Sequence, residues 1–230
     1  MNVTRRQLLT GAAASAVLAA GGIGYYIWAR PETDLLPPAA NAAPPPPDAQ
    51  TAQLLQPGPL EEMALGDEKA PVTIIEYASM TCPHCASFHT TTYPELKKRY
   101  IDTGKVRFIF REFPLDPLAA AGFLLARCAP KDKYFPLIET LFQQQEQWVT
   151  QKPLEPLRNI SRQAGFTDKS FEECLANQNL LDGIEAVRQR AAEKLGVKST
   201  PTFFINGKVF RGALTVPELE KAVEPYLKSS

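Results

Sequence analysis

Cys82-Pro83-His84-Cys85 stands between an apolar run and an amphipathic stretch, and few architectures place two cysteines there. The run Pro71-Val72-Thr73-Ile74-Ile75-Glu76-Tyr77 reads as a buried central strand. Phe88, Leu96 and Tyr100 recur beyond the cysteines at near-helical spacing. The pair therefore opens a helix. The free N–H groups of a first helical turn and the positive end of the macrodipole stabilise an anion, so Cys82 should ionise readily. Pro83 suits the first helical position, where no N–H is missed. His84 can add positive charge or a hydrogen bond near the Cys82 sulfur, making it a better leaving group from a mixed disulfide. Cys85, one turn deeper, is then the resolving thiol. Both sulfurs lie on one helix face, so a small disulfide ring can close and reopen without moving the fold.

The remaining pattern follows from this start. Lys105 to Phe110 alternates into a second strand after Gly104, and a strand, a crossover helix and a strand in this length imply parallel pairing. Pro94 should kink the helix between them. From Pro114 to Gly196 the periodicity is helical and no strand is expected. Thr202 to Ile205, Asn206-Gly207 and Lys208 to Arg211 then predict a hairpin, followed by a closing helix over 215–228. The fold class is α/β, with a helical insertion at about 114–190.

The chain of 230 residues allows one ordinary domain with a leader and a linker. Its formal charge is zero, but Arg5, Arg6 and Arg30 lie in a first segment with no acid, so the rest carries 22 basic against 25 acidic residues. That balance excludes nucleic acid as an expected partner. Residues 1–30 read as an export signal: Thr4-Arg5-Arg6-Gln7-Leu8-Leu9 has the twin-arginine pattern, with an ordinary secretory leader as the alternative. The uncharged run from Leu8 to Trp28 is close to the roughly 20 residues that span a bilayer, and a tether to the inner membrane through residues 8–28 is expected. In a bacterium the domain would then be periplasmic, where disulfides persist. Residues 31–59 hold nine of the 21 prolines and read as a linker, with the folded domain at 60–230.

With the strand, the Cys-Pro-His-Cys helix, the second strand, the helical block, Ser199-Thr200-Pro201-Thr202, the hairpin and the last helix in this order, the chain resembles the DsbA-like branch of the thioredoxin superfamily. The likeness covers about residues 63–228. It implies a thioredoxin fold and a protein disulfide oxidoreductase that oxidises cysteine pairs in exported polypeptides. It also implies reoxidation by a membrane partner of the DsbB type. Pro201 would be the cis-proline facing the dithiol. Lacking an N–H, it would leave an edge where an extended substrate could pair with the backbone at Thr200. The alternative is a trans proline opening a strand.

Glu76 lies on a strand that otherwise reads as buried, where burial disfavours the charged form. It could accept or return the Cys85 proton, or it could be a strand-end acid reaching solvent or a lysine. Cys128 and Cys174 lie in the helical block without the x-x spacing and read as a structural disulfide, two buried thiols being the alternative. A metal site from Cys82, Cys85 and His89 at i, i+3, i+7, with His84 beside them, is the rival of a different class. It lacks the second ligand pair that structural zinc normally uses, so no metal and no cofactor are expected. Reductase, isomerase and a chaperone-like binding module are further readings. An isomerase would normally need a dimerisation domain that 31–59 cannot supply, so a monomer is expected.

Overall fold

The computed structural model describes residues 49–56 and 58–228. The expected leader, the membrane-tether run and most of the linker lie outside the described residues. No described helix is long and apolar enough to cross a membrane.

Five strands form one mixed sheet in the order β1-β3-β2-β4-β5. They are β1 (Met63–Leu65), β2 (Val72–Ala78), β3 (Val106–Glu112), β4 (Thr202–Ile205) and β5 (Lys208–Arg211). β2 pairs with β3 in parallel and with β4 antiparallel, so the strand feeding the dithiol is central. The Asn206-Gly207 turn closes β4 onto β5 with φ of 44° and 85°, a left-handed pair that this dipeptide tolerates. Asn206 also accepts from the Thr73 N–H at 2.7 Å, tying the turn to the start of β2. β1 was not read from the sequence. Its three residues are too short for alternation to register, and antiparallel pairing with β3 specifies it.

Alternation along the strands sends side chains to two cores. Ile74, Phe108, Phe110, Phe203 and Ile205 face one side, covered by α2 (Pro83–Thr91), α10 (Val216–Leu227) and the helical insertion. Ile75, Tyr77, Ile109 and Phe204 face the other, covered by Val187 and Ala191 of α9 (Gln178–Lys194) and by Leu195 just past its end. The insertion runs through α4 (Pro117–Cys128), α5 (Tyr134–Gln143), α6 (Gln145–Trp148), α7 (Leu154–Gln163) and α8 (Asp168–Leu175) into α9, with no strand among its described residues. The helix after the dithiol stops at Thr91 and resumes as α3 (Tyr93–Leu96) and a π-helical turn over Lys97–Ile101. The interruption lies just ahead of Pro94, whose ring cannot follow a straight helix.

Of the segment 31–59 expected as a linker, the described part is largely helical. Residues 49–55 form a helix, α1, and Leu54 is buried in the second core beside Tyr77, Val187 and Phe204. The Arg111 guanidinium donates to the Leu54 carbonyl at 2.8 Å, and Arg190 donates to the carbonyls of Gln53 and Gln56. Cationic donors at the carbonyl end of a helix offset its unpaired acceptors and its dipole. Flanking prolines hid this segment, because seven residues give too little periodicity to set against their composition.

Candidate active site

β2 ends at Ala78 and the chain turns through Ser79 to Thr81 before α2 begins. Cys82 is the N-cap residue of α2 in extended conformation, and Pro83 is its first helical residue. Cys82 and Cys85 are both free thiols and both buried. From the other side the Thr200–Pro201 bond, which is cis, brings the Thr200 carbonyl to 3.3 Å from the Cys82 sulfur, which donates to it.

The two thiols are electrically unlike. Cys82 is lowered from the ordinary 9.0 to about 5, first by the hydrogen bond that the Cys85 thiol gives it. Burial opposes this, while Thr200 and the backbone N–H groups of Cys85 and His84 add to it. Cys85 is pushed well above the ordinary thiol range, by burial first, then by its bond to Cys82 and the nearby charge of Glu76. The Thr200 hydroxyl is buried with no other partner, so it is free to serve the Cys82 thiolate when the thiol proton has left. His84 stands exposed on the first turn, and it lowers Cys82 through its backbone N–H.

Glu76 is fully buried in the middle of β2, opposite Phe110 on β3 and Phe203 on β4. It does not reach solvent or a lysine. Its Oε2 lies 2.9 Å from Nε2 of His89, while Oε1 has no partner. His89, raised earlier only as a metal ligand, is thus placed toward the acid, and among the described residues no group of three or more His, Cys, Asp or Glu gathers as a metal site.

Two residues around the dithiol were not singled out from the sequence. Gln145 is buried in α6 and its amide donates to the carbonyls of Met80 and Cys82, at 2.8 and 3.1 Å, so the insertion holds the turn that carries the first cysteine. Thr81 donates to Asp116 Oδ2 at 2.5 Å, and the other oxygen of Asp116 caps α4 through the Ala119 N–H. A glutamine on a predicted helix gives no signal for such a role. Asp116 before Pro117 is a legible N-cap, but its second bond is not. Farther off, Cys128 and Cys174 are joined by a disulfide with Cα atoms 6.1 Å apart, linking the end of α4 to α8.

A helix-opening dithiol whose first sulfur meets the residue before a cis-proline, on the central strand of a mixed sheet, is the arrangement of thioredoxin-fold proteins. Residues 60–225 match the family described as Thioredoxin, and the chain belongs to that family, in its DsbA-like branch. Among solved structures it is similar to alpha-DsbA1 of Wolbachia pipientis, at 30% identity and a TM-score of 0.72, over 78% of this chain and 96% of that one. Among relatives it is 34% identical to a Rickettsia felis protein named as a candidate protein-disulfide oxidoreductase, over 73% of this chain. It is 27% identical to disulfide bond formation protein D of Bacillus subtilis, over 75% of this chain and 80% of that one. The chain spans 60% of the length of the Rickettsia protein.

Proposed function

We propose that this chain is a thiol:disulfide oxidoreductase that introduces disulfide bonds into exported polypeptides. The observation that carries the reading is the placing of Cys82 at the N-terminus of α2 with Cys85 fully buried behind it, which lowers the ionisation of the first thiol and raises that of the second. A stabilised thiolate favours the reduced dithiol, so the Cys82–Cys85 disulfide is a strong electron acceptor and oxidation of substrate is the downhill direction.

The cycle balances within these groups. A substrate thiolate attacks Cys82 Sγ of the enzyme disulfide, and Cys85 leaves and is protonated. A second substrate thiolate then attacks the substrate sulfur of the mixed disulfide and expels the Cys82 thiolate. Two electrons and a proton stay in the enzyme dithiol. Cys82 suits both attack and departure because it is ionised at neutral pH, and Cys85 suits the proton because burial favours its neutral form. Glu76 would take or return that proton. Thr200 and Pro201 would border the groove where an extended substrate pairs with the backbone.

Residues 1–30 support export and a tether to the inner membrane, with the domain periplasmic and a membrane protein of the DsbB type withdrawing the electrons. A monomer is part of this reading. The test is reoxidation of a reduced, unfolded protein by the oxidised chain. Stoichiometric disulfide formation that is lost in Cys82→Ala supports it. Activity retained in Cys82→Ala favours binding without turnover, and a dithiol potential near that of thioredoxin favours a reductase.

A further inference from the structure

The pairing of Glu76 with His89 has no use in the steps above, yet the Glu76 charge is near enough to raise the resolving thiol. His89 lies on α2 one turn beyond Cys85 and is 3% exposed; Glu76 is fully buried. The imidazole is enclosed by aromatic rings: Phe142 of α5 is stacked on it at 4.3 Å, Tyr93 of α3 lies at 4.9 Å, Phe88 at 5.4 Å and Phe110 of β3 at 5.7 Å. The titratable groups around the pair are few. Cys85 lies on α2. Tyr93 on α3 is raised by burial and by Glu139 of α5, and so stays neutral. Glu112, at the end of β3, is already held by Arg127 and Tyr134. Among the described residues no lysine or arginine hydrogen-bonds to Glu76, whose one partner is His89.

An unpartnered carboxylate in such a site would give up its charge. The orphaned atoms set what each direction of the shared hydrogen bond costs. If Nε2–H donates to Oε2, Nδ1 is a bare lone pair, which is tolerable in an apolar cage. If Glu76 donated instead, the pair would be neutral but Nδ1 would carry a buried N–H with no acceptor, so that arrangement exchanges the buried charge for an orphaned donor.

We propose that His89 is the positioning residue of this dithiol: its Nε2–H holds Glu76 as a carboxylate, leaving Oε1 free to receive the Cys85 proton. This rests on the oxidoreductase reading. When reduced enzyme is reoxidised through a mixed disulfide at Cys82, the Cys85 thiol passes its proton through one bridging water to Oε1, which has no direct partner, and its thiolate attacks Cys82 Sγ. The Cys85–Cys82 bond forms as the bond from Cys82 to the outer sulfur breaks, and the outer thiolate leaves. The extra proton is carried by the Glu76–His89 pair until it returns to solvent or to Cys85 in the opposite half-cycle.

The test compares wild type, His89→Phe and His89→Gln. Glutathione disulfide loads Cys82, and release of the second glutathione is followed against pH. In His89→Phe the fall of that rate on acidification should begin at least one pH unit higher than in wild type, about a tenfold loss on the acidic limb. His89→Gln, which keeps an N–H donor but does not titrate, should restore most of it. A purely packing role would lower the melting temperature without moving the profile. Carbon-13 NMR of the Glu76 carboxyl, assigned with Glu76→Gln, reads the same interaction without turnover, and its titration should move to higher pH in His89→Phe. Superimposable rate profiles and an unmoved carboxyl signal would overturn the proposal, as would a His89→Gln displaced as far as His89→Phe. Absence of glutathione exchange in wild type would instead overturn the oxidoreductase reading, and the NMR titration would still decide on His89.

Discussion

Cys82 and Cys85 have the same side chain and adjacent places on one helix turn, yet their protons are held very differently. Burial raises both, but Cys82 receives the Cys85 thiol, Thr200 and two backbone N–H groups as donors, whereas Cys85 has only the Ser79 backbone. Removing the largest of these donors should be visible directly. Thiolate absorbance near 240 nm should titrate at about 5 in reduced wild type, and at distinctly higher pH in Cys85→Ala. An unchanged midpoint would assign the lowering to Thr200 and the helix end. The same shift sets a pH dependence of folding. The ionisation of Cys82 in the folded state lies below its ordinary value, so the stabilisation is complete above about 9 and is lost as pH falls through about 5. Denaturant unfolding of the reduced protein should therefore gain stability over Cys82→Ser as pH rises through that window. Much of this asymmetry was legible beforehand, because the spacing and Pro83 place the sulfur at a helix N-terminus. The side-chain donors were not: Cys85 was legible only as the resolving thiol, and Thr200, more than a hundred residues away, only through its backbone.

Segments announced by periodicity or turn chemistry were legible, including the central strand, its parallel partner, the Asn-Gly hairpin and the helices of the insertion. Those that exist only through tertiary contact were not, as β1 and α1 show. Glu76 was legible as an odd acid in an apolar strand, but its partner was not, since His89 on a helix face has several equivalent readings until the strand is laid against it. α1 also alters what counts as the folded unit. Leu54 is 2% exposed beneath it, and Arg111 and Arg190 fasten its last carbonyls. Leu54→Ala should cost about 2 kcal/mol, at the low end for a buried leucine because a peripheral helix can settle into the gap. A chain beginning at residue 58 should lose more, since it uncovers Phe204 and Tyr77 as well. Midpoints of denaturant unfolding would measure both, and equal midpoints would show that α1 does not hold to the sheet.

The whole fold divides its labour between a sheet that positions the chemistry and an inserted helical block that braces it. The block reaches the dithiol through Gln145 and Asp116, so its rigidity bears on the geometry at Cys82. Cys128 and Cys174 act at that level. They lie 46 residues apart in the chain and pin α4, which starts at the Asp116 cap, to α8. Closing a loop of that length restricts the unfolded chain by about 4 kcal/mol in the chain-entropy account. The Cys128→Ala/Cys174→Ala double variant should accordingly unfold about 4 kcal/mol more easily than the wild type when Cys82 and Cys85 are reduced in both. The Cys82 titration should stay near its wild-type position, because neither cysteine of the second pair is among the groups that set it. A change of that titration along with the stability would mean that the bond also governs how the insertion holds the active-site turn. A loss of well under 1 kcal/mol would mean that the helical block retains its arrangement in the unfolded chain without the bond.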